Sequence, residues 1–520
     1  MSDLLSSSAK GASFLILLQI GSRALTFALN QTLLRFITPE LLGISIQLEL
    51  FSISVLYFSR ESLRVALQRH SGDVQVVVNL AYLATIIGVP LTAVLAWQYA
   101  RSGLPSVPYA AEALQIYAGA TVVELLSEPA FVAMQNKLLY KFRAASEATA
   151  TVAKCFATCG LVFWSHGARH DLGALPFAAG QLAYASALLF SYLAYQPAGL
   201  VADEDRFPIL PRRIGPSEKN TYLFSLFSRP LLQLSLSLTI QSSVKYALTY
   251  GDQLLMSSLA SYKDQGAYGL ASNYGGLVAR MLFQPIEESS RNLFAKLCAP
   301  QDITKEADAS KSPDQSTSDR KPSRQGLRQA QTTLENILRI YSLIGLVAFA
   351  LGPTAAPLLL RLVAGSRWID IGAGEVLATY CYYIPLLAFN GVTEAFIAAV
   401  AGNRDLFRQS SYGVAFFATF AGAAYYFLAV LETGAQGLVW ANCVNMGLRI
   451  FWNLGFVRSY FERFRQSFDV LTIVPGYASI AATAVVPFVL KKTTTLFSGY
   501  GLPGEMIRVA GIGVCYVVIL

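Results

Sequence analysis

The residues of this chain that could do chemistry are charged side chains inside long apolar stretches. The basic ones are Arg23, Lys154, Lys245, Arg280 and Arg449. The acidic ones are Glu49, Glu112, Glu124, Glu128, Glu147, Asp252, Glu287, Glu288, Glu375 and Glu394. A charge at the centre of a membrane span costs about 2.5–3.5 kcal/mol on insertion scales, so such residues usually face a cavity or a partner. These positions are therefore candidate functional sites.

Arg23 and Lys245 occupy equivalent places in an internal repeat. Each lies shortly before an Ala-Leu-Thr-aromatic run that ends in a polar residue and Gln. Two basic groups facing one cavity repel each other unless an anion lies between them, and arginine suits bidentate contact with phosphate. We therefore expect a phosphate or pyrophosphate site. Lys154 is a further candidate ligand of this site. The alternative is pairing with nearby acids, for example Lys154 with Glu147 on one helix.

A second set of charges follows the second and eighth apolar stretches. Glu61 and Arg64 have the same spacing as Glu288 and Arg291. We expect intramembrane salt bridges that break and re-form in a gate, and helix capping is the alternative. The candidate gate residues are Glu61, Asp252, Glu287, Glu288 and Arg291.

No enzyme chemistry is predicted. The chain has no phosphate-binding loop and no nucleophile motif, and its six cysteines follow neither zinc nor disulfide spacing. His166 and His170 are four residues apart, but a metal site needs more ligands. We expect no metal, no cofactor and no catalytic residue.

Composition places these charges in a membrane protein. Of the 520 residues, 54% are hydrophobic and 14% charged, against about 25% charged in soluble domains. Apolar stretches of about 20 residues, enough to cross a hydrocarbon core of about 30 Å, recur along the chain. We predict an all-α polytopic protein with about fourteen spans. They are 14–36, 41–58, 76–97, 109–133, 144–165, 173–195, 230–260, 267–297, 337–363, 375–400, 411–430, 435–457, 471–490 and 505–520.

The loops predict the orientation. Those after even-numbered spans carry several times more Lys and Arg than those after odd-numbered spans. By the positive-inside rule, the even loops and both termini are cytosolic. The net charge of +8 is then a topology signal, and no nucleic-acid partner is expected.

The repeat predicts the domain organisation. We expect a six-helix bundle at 1–196, a cytosolic linker at 197–222 and a second bundle at 223–458, with two additional helices at 459–520. A loop at 299–328 is expected to be disordered. Parallel repeats of this kind form transporters whose substrate site lies at the repeat interface.

Glycine and proline are predicted to interrupt three spans. Gly275, Gly276 and Pro285 fall in the eighth span, Pro129 in the fourth and Pro385 in the tenth. Irregular backbone at membrane depth is tolerated where it lines a cavity, so these breaks also fit a transporter.

Five segments resemble the eukaryotic Rft family, endoplasmic-reticulum proteins associated with translocating dolichol-linked oligosaccharide. They are LLQIGSRALTFALNQTLLRF at 17–36, YFSRESLR at 57–64, YGDQLLMSSL at 250–259, DQGAYGLASNYGGLVARMLFQPIEES at 264–289 and NGVTEAFIAA at 390–399. The resemblance covers most of the chain. The block at 264–289 is its most specific part.

The resemblance implies a function as well as a fold. The family is similar to bacterial lipid II flippases and multidrug exporters, which implies two bundles closing alternately around a central cavity. It implies a multi-pass protein of the endoplasmic reticulum membrane that moves a dolichyl-pyrophosphate glycan to the luminal leaflet for N-glycosylation. By similarity to the bacterial flippases, Arg23, Arg280, Arg60 and Arg64 would meet the pyrophosphate.

Two alternatives remain open at this stage. One is a non-transporting accessory protein that works with the glycosylation-pathway proteins on a retained transporter fold. The other is an ion-coupled exporter of small organic cations, which the basic pair Arg23 and Lys245 disfavours. The sequence identifies no energy source.

Overall fold

The computed structural model describes residues 27–68, 73–137, 139–194, 209–214, 222–299, 322–370, 372–495 and 498–520. In these ranges the chain is almost entirely helical. One antiparallel pair of two-residue strands, β1 (Tyr222–Leu223) and β2 (Phe227–Ser228), precedes the eighth helix.

The chain divides into two compact units, Met1–Ser257 and Ser258–Leu520. The helices of the first unit are α1 (27–34), α2 (Pro39–Gln68), α3 (Val74–Arg101), α4 (Ala110–Leu126), α5 (Glu128–Asn136), α6 (Tyr140–Ala168), α7 (Leu175–Ala194) and all but the end of α8 (Arg229–Leu259). The sequence repeat instead starts the second half at 223. That boundary is a property of the repeat and stays a prediction.

The second unit holds the remaining helices. They are α9 (Tyr262–Val278), α10 (Gln284–Leu297), α11 (Arg324–Ala364), α12 (Ser366–Asp370), α13 (Ala373–Val400), α14 (Asn403–Tyr425), α15 (Gly434–Arg463), α16 (Tyr477–Lys492) and α17 (Gly501–Ile519). Two π-helical turns, Ala279–Phe283 and Tyr426–Val430, and two 3-10 turns, Val470–Ile473 and Ser498–Tyr500, lie between them.

The predicted spans from the second to the fourteenth each have a helical counterpart. Nine helical stretches within the described ranges are long and apolar enough to cross a bilayer. The all-α, polytopic membrane class is therefore confirmed, while the count of fourteen crossings stays a prediction.

Three expectations need correction: the beginning of the ninth span, the extent of the disordered loop and the break at Pro385. The helix at the ninth span begins at Arg324, not at 337, because Ser323 caps it by accepting from the Gly326 amide and Leu327 is buried. The residues 324–328 are thus helical rather than disordered. Pro385 lies inside the continuous helix α13.

The other two breaks are present. The fourth span is split at Ser127, just before Pro129, into α4 and α5. The eighth span is split by the π-helical turn Ala279–Phe283, which lies between the glycines and Pro285. A π-helical turn inside an α-helix often accompanies a functional position.

Packing in the first unit is centred on α2, α3, α4 and α5. Val55, Val77, Leu80 and Leu125 are fully buried there. Asn79 of α3, also fully buried, joins two further segments to this helix. Its side-chain amide donates to the Arg212 carbonyl (2.7 Å) and accepts from the Arg212 amide (3.0 Å) in the segment 209–214, and it donates to the carbonyl of Leu226 (3.1 Å) between β1 and β2.

The core of the second unit is built mainly from aromatic rings of α10, α11, α13 and α15. Phe294, Phe396 and Phe461 are fully buried, with Phe396 contacting both of the others. The helices α16 and α17 pack on α11 through a separate small cluster that includes Val486 and Tyr516.

Candidate functional site

The most buried charges of the first unit form an ionic cluster, which we call the α2–α5 cluster and define as Arg60, Arg64, Glu124 and Glu128. Arg60 Nη1 lies 3.1 Å from Glu124 Oε1 and 3.6 Å from Glu128 Oε2. Arg64 makes a two-pronged contact with Glu128, at 2.5 Å from Nε and 2.6 Å from Nη2. The two carboxylate side chains are only 5% and 2% exposed.

Local structure places these four groups together. Arg60 and Arg64 are one helical turn apart, so they share a face of α2. Glu124 lies in the last turn of α4 and Glu128 in the first turn of α5, so the break at Ser127 brings both carboxylates to that face. The N-terminal end of α5 also favours a negative charge at Glu128.

Aromatic and amide groups complete the α2–α5 cluster. The guanidinium of Arg64 lies 3.7 Å from the ring centre of Phe131, and that of Arg143 lies 4.5 Å from it. Gln181 donates to Glu124 Oε2 at 3.4 Å. The two arginines balance the two glutamates, and their polar groups already have partners. In this conformation the α2–α5 cluster therefore joins α2 to α4 and α5, an arrangement that we call a buried lock, and it does not offer an open anion site.

Lys245 pairs with a gate candidate. Its Nζ lies 3.2 Å from Glu61 Oε1, and the lysine side chain is 65% exposed. Beside this pair the rings of Tyr57, Phe58 and Tyr246 contact one another, and Tyr246 hydrogen-bonds Ser54 at 2.5 Å. A single contact to an exposed ammonium is readily exchanged, so Lys245 can leave Glu61 for an anion.

Lys154 does not pair with Glu147, so that expectation was wrong. Its Nζ lies 3.3 Å from Glu49 Oε1, while Glu147 accepts from Arg143 at 2.9 Å. Lys154 and Glu147 are seven residues apart, two helical turns, and Arg143 reaches Glu147 from the closer i,i+4 position.

Arg280 lies in the π-helical turn between α9 and α10. Its Nη2 donates to the carbonyl and side-chain oxygens of Asn273, each at 3.2 Å. Within the described ranges it makes no ion pair, and it is exposed. It therefore keeps free donors.

The remaining gate candidates, Glu287, Glu288 and Arg291 of the second unit and Asp252 of the first, have separate surroundings. Glu288 accepts from Gln284 at 3.1 Å, whereas Glu287 packs against the backbone of Gly391 on α13. Arg291 is exposed. Asp252, in α8, accepts from the neighbouring Gln253 amide at 2.8 Å.

A pair in the second unit was not predicted. Arg449 Nη2 of α15 lies 3.3 Å from Glu394 Oε1 of α13. The sequence marked both as intramembrane charges, but their 55-residue separation gave no reason to pair them. Likewise, Glu124 and Glu128 were seen as intramembrane acids without being assigned to Arg60 and Arg64.

Two further sequence expectations concern Arg23 and metal binding. Arg23 lies outside the described residues. Over the part of the chain that the structure describes, no group of three or more His, Cys, Asp or Glu side chains could hold a metal ion.

Comparison with protein families gives one match that covers almost the whole chain. A family model described as "Rft protein" matches residues 7–519. Among curated relatives, "Man(5)GlcNAc(2)-PP-dolichol translocation protein RFT1" of Yarrowia lipolytica is 34% identical, covering 92% of this chain and 74% of that protein. The protein of the same name from Xenopus tropicalis is 33% identical, covering 88% and 84%.

Solved structures show the same fold at low identity. "Lipid II flippase MurJ, inward closed conformation" aligns with a TM-score of 0.60 at 14% identity and covers 97% of both chains. An inward-facing multidrug transporter of the MATE family aligns at 0.55 and 13%, covering 84% of this chain and 95% of that one. These likenesses define the fold alone.

Proposed function

This chain belongs to the Rft protein family, and on that premise we propose that it translocates a dolichyl-pyrophosphate-linked oligosaccharide. The lipid moves from the cytosolic to the luminal leaflet of the endoplasmic reticulum membrane. The observation that carries the proposal is the match over residues 7–519 together with relatives named for Man(5)GlcNAc(2)-PP-dolichol translocation. No enzymatic step is proposed.

The chemical problem is the passage of a charged pyrophosphate and a polar glycan through hydrocarbon. A charge in a low-dielectric interior is strongly disfavoured unless it is paired and hydrogen-bonded. A protein cavity that supplies cations lowers this barrier, and the dolichyl chain can stay in lipid throughout.

Lys245 and Arg280 are the described residues best suited to meet the pyrophosphate. Lys245 is mostly exposed and held by one carboxylate contact, and Arg280 makes no ion pair within the described ranges. Arg23, predicted from the repeat to act with Lys245, is retained in the proposal on its sequence position.

Arg60 and Arg64 have a different role in the proposal. Their carboxylate partners are buried and saturate them in this conformation. For either arginine to bind pyrophosphate, Glu124 or Glu128 would have to be left buried without its partner, which is strongly destabilising. We assign them to holding α2 against α4 and α5, and Lys154 to a surface pair with Glu49.

An accessory role is the second candidate, favoured by one observation. Of the predicted phosphate ligands that the structure describes, Arg60, Arg64, Lys154 and Lys245 all contact a carboxylate. A transporter fold retained for interaction with glycosylation-pathway proteins would have no need of free cations.

Reconstitution separates the two candidates. Purified protein is placed in liposomes with a pyrophosphate-linked oligosaccharide lipid, and exchange between leaflets is followed by the accessibility of the glycan to a membrane-impermeant lectin. Transport predicts exchange above that of empty vesicles. Folded protein without exchange would instead favour the accessory role.

A further inference from the structure

A cavity with charged residues in its wall lies in the second unit, away from the residues considered above. Its volume is about 570 Å³. This open cavity is lined by the beginning of α14, the second half of α15 and Val470. The charged residues in its wall are Asp405, Arg408, Arg458 and Arg463.

Helical spacing explains why these side chains share one space. On α15, Trp452, Phe456, Ser459 and Arg463 recur at intervals of four, three and four residues, which places them on one face. The cavity therefore has aromatic groups toward the middle of α15 and guanidinium groups toward its end.

The charge balance of the wall favours an anion. Arg458 Nε donates to Glu462 Oε1 at 2.8 Å, so this guanidinium is partly neutralised. Arg408 and Arg463 are exposed and make no ion pair within the described ranges. Asp405 is the carboxylate of the lining, so the two guanidiniums of Arg408 and Arg463 face one acid even when Arg458 is left out.

The apolar part of the wall is a ladder of rings. Trp452 and Phe456 of the wall have ring centres 6.0 Å apart, and Tyr412, which lies outside the wall, supports Trp452 at 5.8 Å. Phe451, also in the wall, is 82% exposed. Such a surface accepts an apolar chain or the face of a sugar or inositol ring.

The cavity lies at the ends of its helices, on the side of the membrane where the loops are rich in Lys and Arg. The helix α14 begins at Asn403 and α15 ends at Arg463, so both helix ends face the same side. On the positive-inside assignment this side is cytosolic. Basic pockets between membrane helices on that side bind phosphorylated lipid headgroups.

We propose that this cavity binds the phosphate-bearing headgroup of a lipid in the cytosolic leaflet. Arg408 and Arg463 hold the phosphate, and the ring ladder holds the apolar or ring-shaped part of the same molecule. Two lipids carry this chemistry: a phosphoinositide, and the pyrophosphate-linked glycan. Only the second rests on the proposed function.

Direct binding to the full-length protein in detergent tests the site without any transport step. The probes are dioctanoyl phosphatidylinositol 4-phosphate and a short-chain polyprenyl-pyrophosphate-linked chitobiose, with dioctanoyl phosphatidylcholine as the uncharged comparison. The variant Arg408→Ala/Arg463→Ala removes two exposed charges from the cavity. The matched control, Arg324→Ala/Arg328→Ala, removes two exposed charges from the beginning of α11, outside the cavity.

At least one anionic probe is expected to bind the unmodified protein, to weaken about ten-fold or more in the cavity variant, and to change less than about two-fold in the control. The probe that responds identifies the lipid. Binding by neither anionic probe, or equal weakening in both variants, overturns the site. Leaflet exchange by a protein that binds neither probe would refute this site while leaving the proposed function intact.

Discussion

At the scale of single residues, what separates the basic groups is how deeply their partners are buried. Arg64 faces a carboxylate that is 2% exposed, whereas Lys245 is itself 65% exposed and faces a carboxylate that is 26% exposed. Removing one partner of a buried pair leaves an uncompensated charge, and removing one partner of an exposed pair does not. The ion pair of Arg64 therefore contributes to stability, whereas the ion pair of Lys245 can be exchanged for one with another anion.

Arg64→Ala is expected to destabilise the protein by about 3–5 kcal/mol, because Glu128 would stay buried without its main partner. Thermal unfolding in detergent measures this. Lys245→Ala is the matched comparison and should change stability by about 0–1 kcal/mol. Similar losses in the two variants would contradict the assignment of Arg64 to a buried lock.

Replacing both members of the buried pair tests the same point from the other direction. Arg64→Met/Glu128→Leu leaves no unpaired charge, so it should recover much of the stability that Arg64→Ala loses. The melting temperatures of the single and double variants, measured together, provide the comparison. A double variant as unstable as the single one would show that the charges themselves are needed.

The sequence was sufficient to identify the charged residues inside the apolar stretches, but it did not identify their ion-pair partners. Arg60 and Arg64 are 64 residues from Glu124 and Glu128, and nothing in the intervening sequence specifies that α4 and α5 return to α2. The i,i+4 pair of Arg143 and Glu147 was available from spacing alone. Long-range partners are determined by packing, which a single sequence does not display.

At the scale of secondary-structure elements, two adjacent glycines of α9 have different surroundings. A Cβ atom at Gly275 would collide with the ring of Tyr380 on α13, whereas one at Gly276 would meet open space apart from the end of Arg280. The sequence marked both as helix breakers. The structure instead gives Gly275 the role of allowing α9 and α13 to approach closely.

Gly275→Ala is therefore expected to destabilise the protein by about 1–3 kcal/mol through overpacking. Gly276→Ala is the control and should be neutral or stabilising by up to about 1 kcal/mol, since alanine is the better helix former. Unfolding of the two variants by heat or denaturant compares them directly. A Gly276→Ala variant as unstable as Gly275→Ala would contradict the proposed close approach.

The segment 209–214 offers a second test at this scale. Asn79→Ala removes both hydrogen bonds that join Asn79 to Arg212 of this segment, and a third to Leu226, so cleavage by trypsin after Arg212 or Arg213 should become faster. Tyr82→Phe, which removes one 3.1 Å bond to the Ile209 carbonyl and leaves Asn79 in place, should have a much smaller effect. Equal cleavage rates in the unmodified protein and Asn79→Ala would contradict the anchoring role.

At the scale of the whole molecule, long apolar runs made the helices predictable and the basic loops made an orientation predictable. Helix limits were less predictable where capping decides them, as at Ser323, whose hydroxyl accepts from the Gly326 amide and begins α11 earlier than its apolar run. Proline position was also a poor guide, because Pro385 is accommodated in a continuous helix. Local hydrogen bonding, rather than hydropathy, determines these details.

The orientation is open to a direct test. A glycosylation acceptor sequence inserted at Gly103, in a loop after an odd-numbered span, should be modified in microsomes, because that loop is expected in the lumen. The same sequence inserted at 310, in the expected cytosolic loop, should stay unmodified. The opposite pattern would invert the orientation and place the proposed lipid cavity at the luminal surface.

The central claim is that this protein itself moves a pyrophosphate-linked oligosaccharide lipid between leaflets, and vesicles that hold on average one protein or fewer test it most directly. If the claim is right, the fraction of vesicles whose glycolipid becomes fully accessible to an external lectin rises with the mean number of protein copies. In the same assay Arg23→Ala/Lys245→Ala should slow exchange, while Lys154→Ala, which breaks only an exposed pair, should not. Exchange that never exceeds that of empty vesicles, with protein shown to be folded, would contradict the claim.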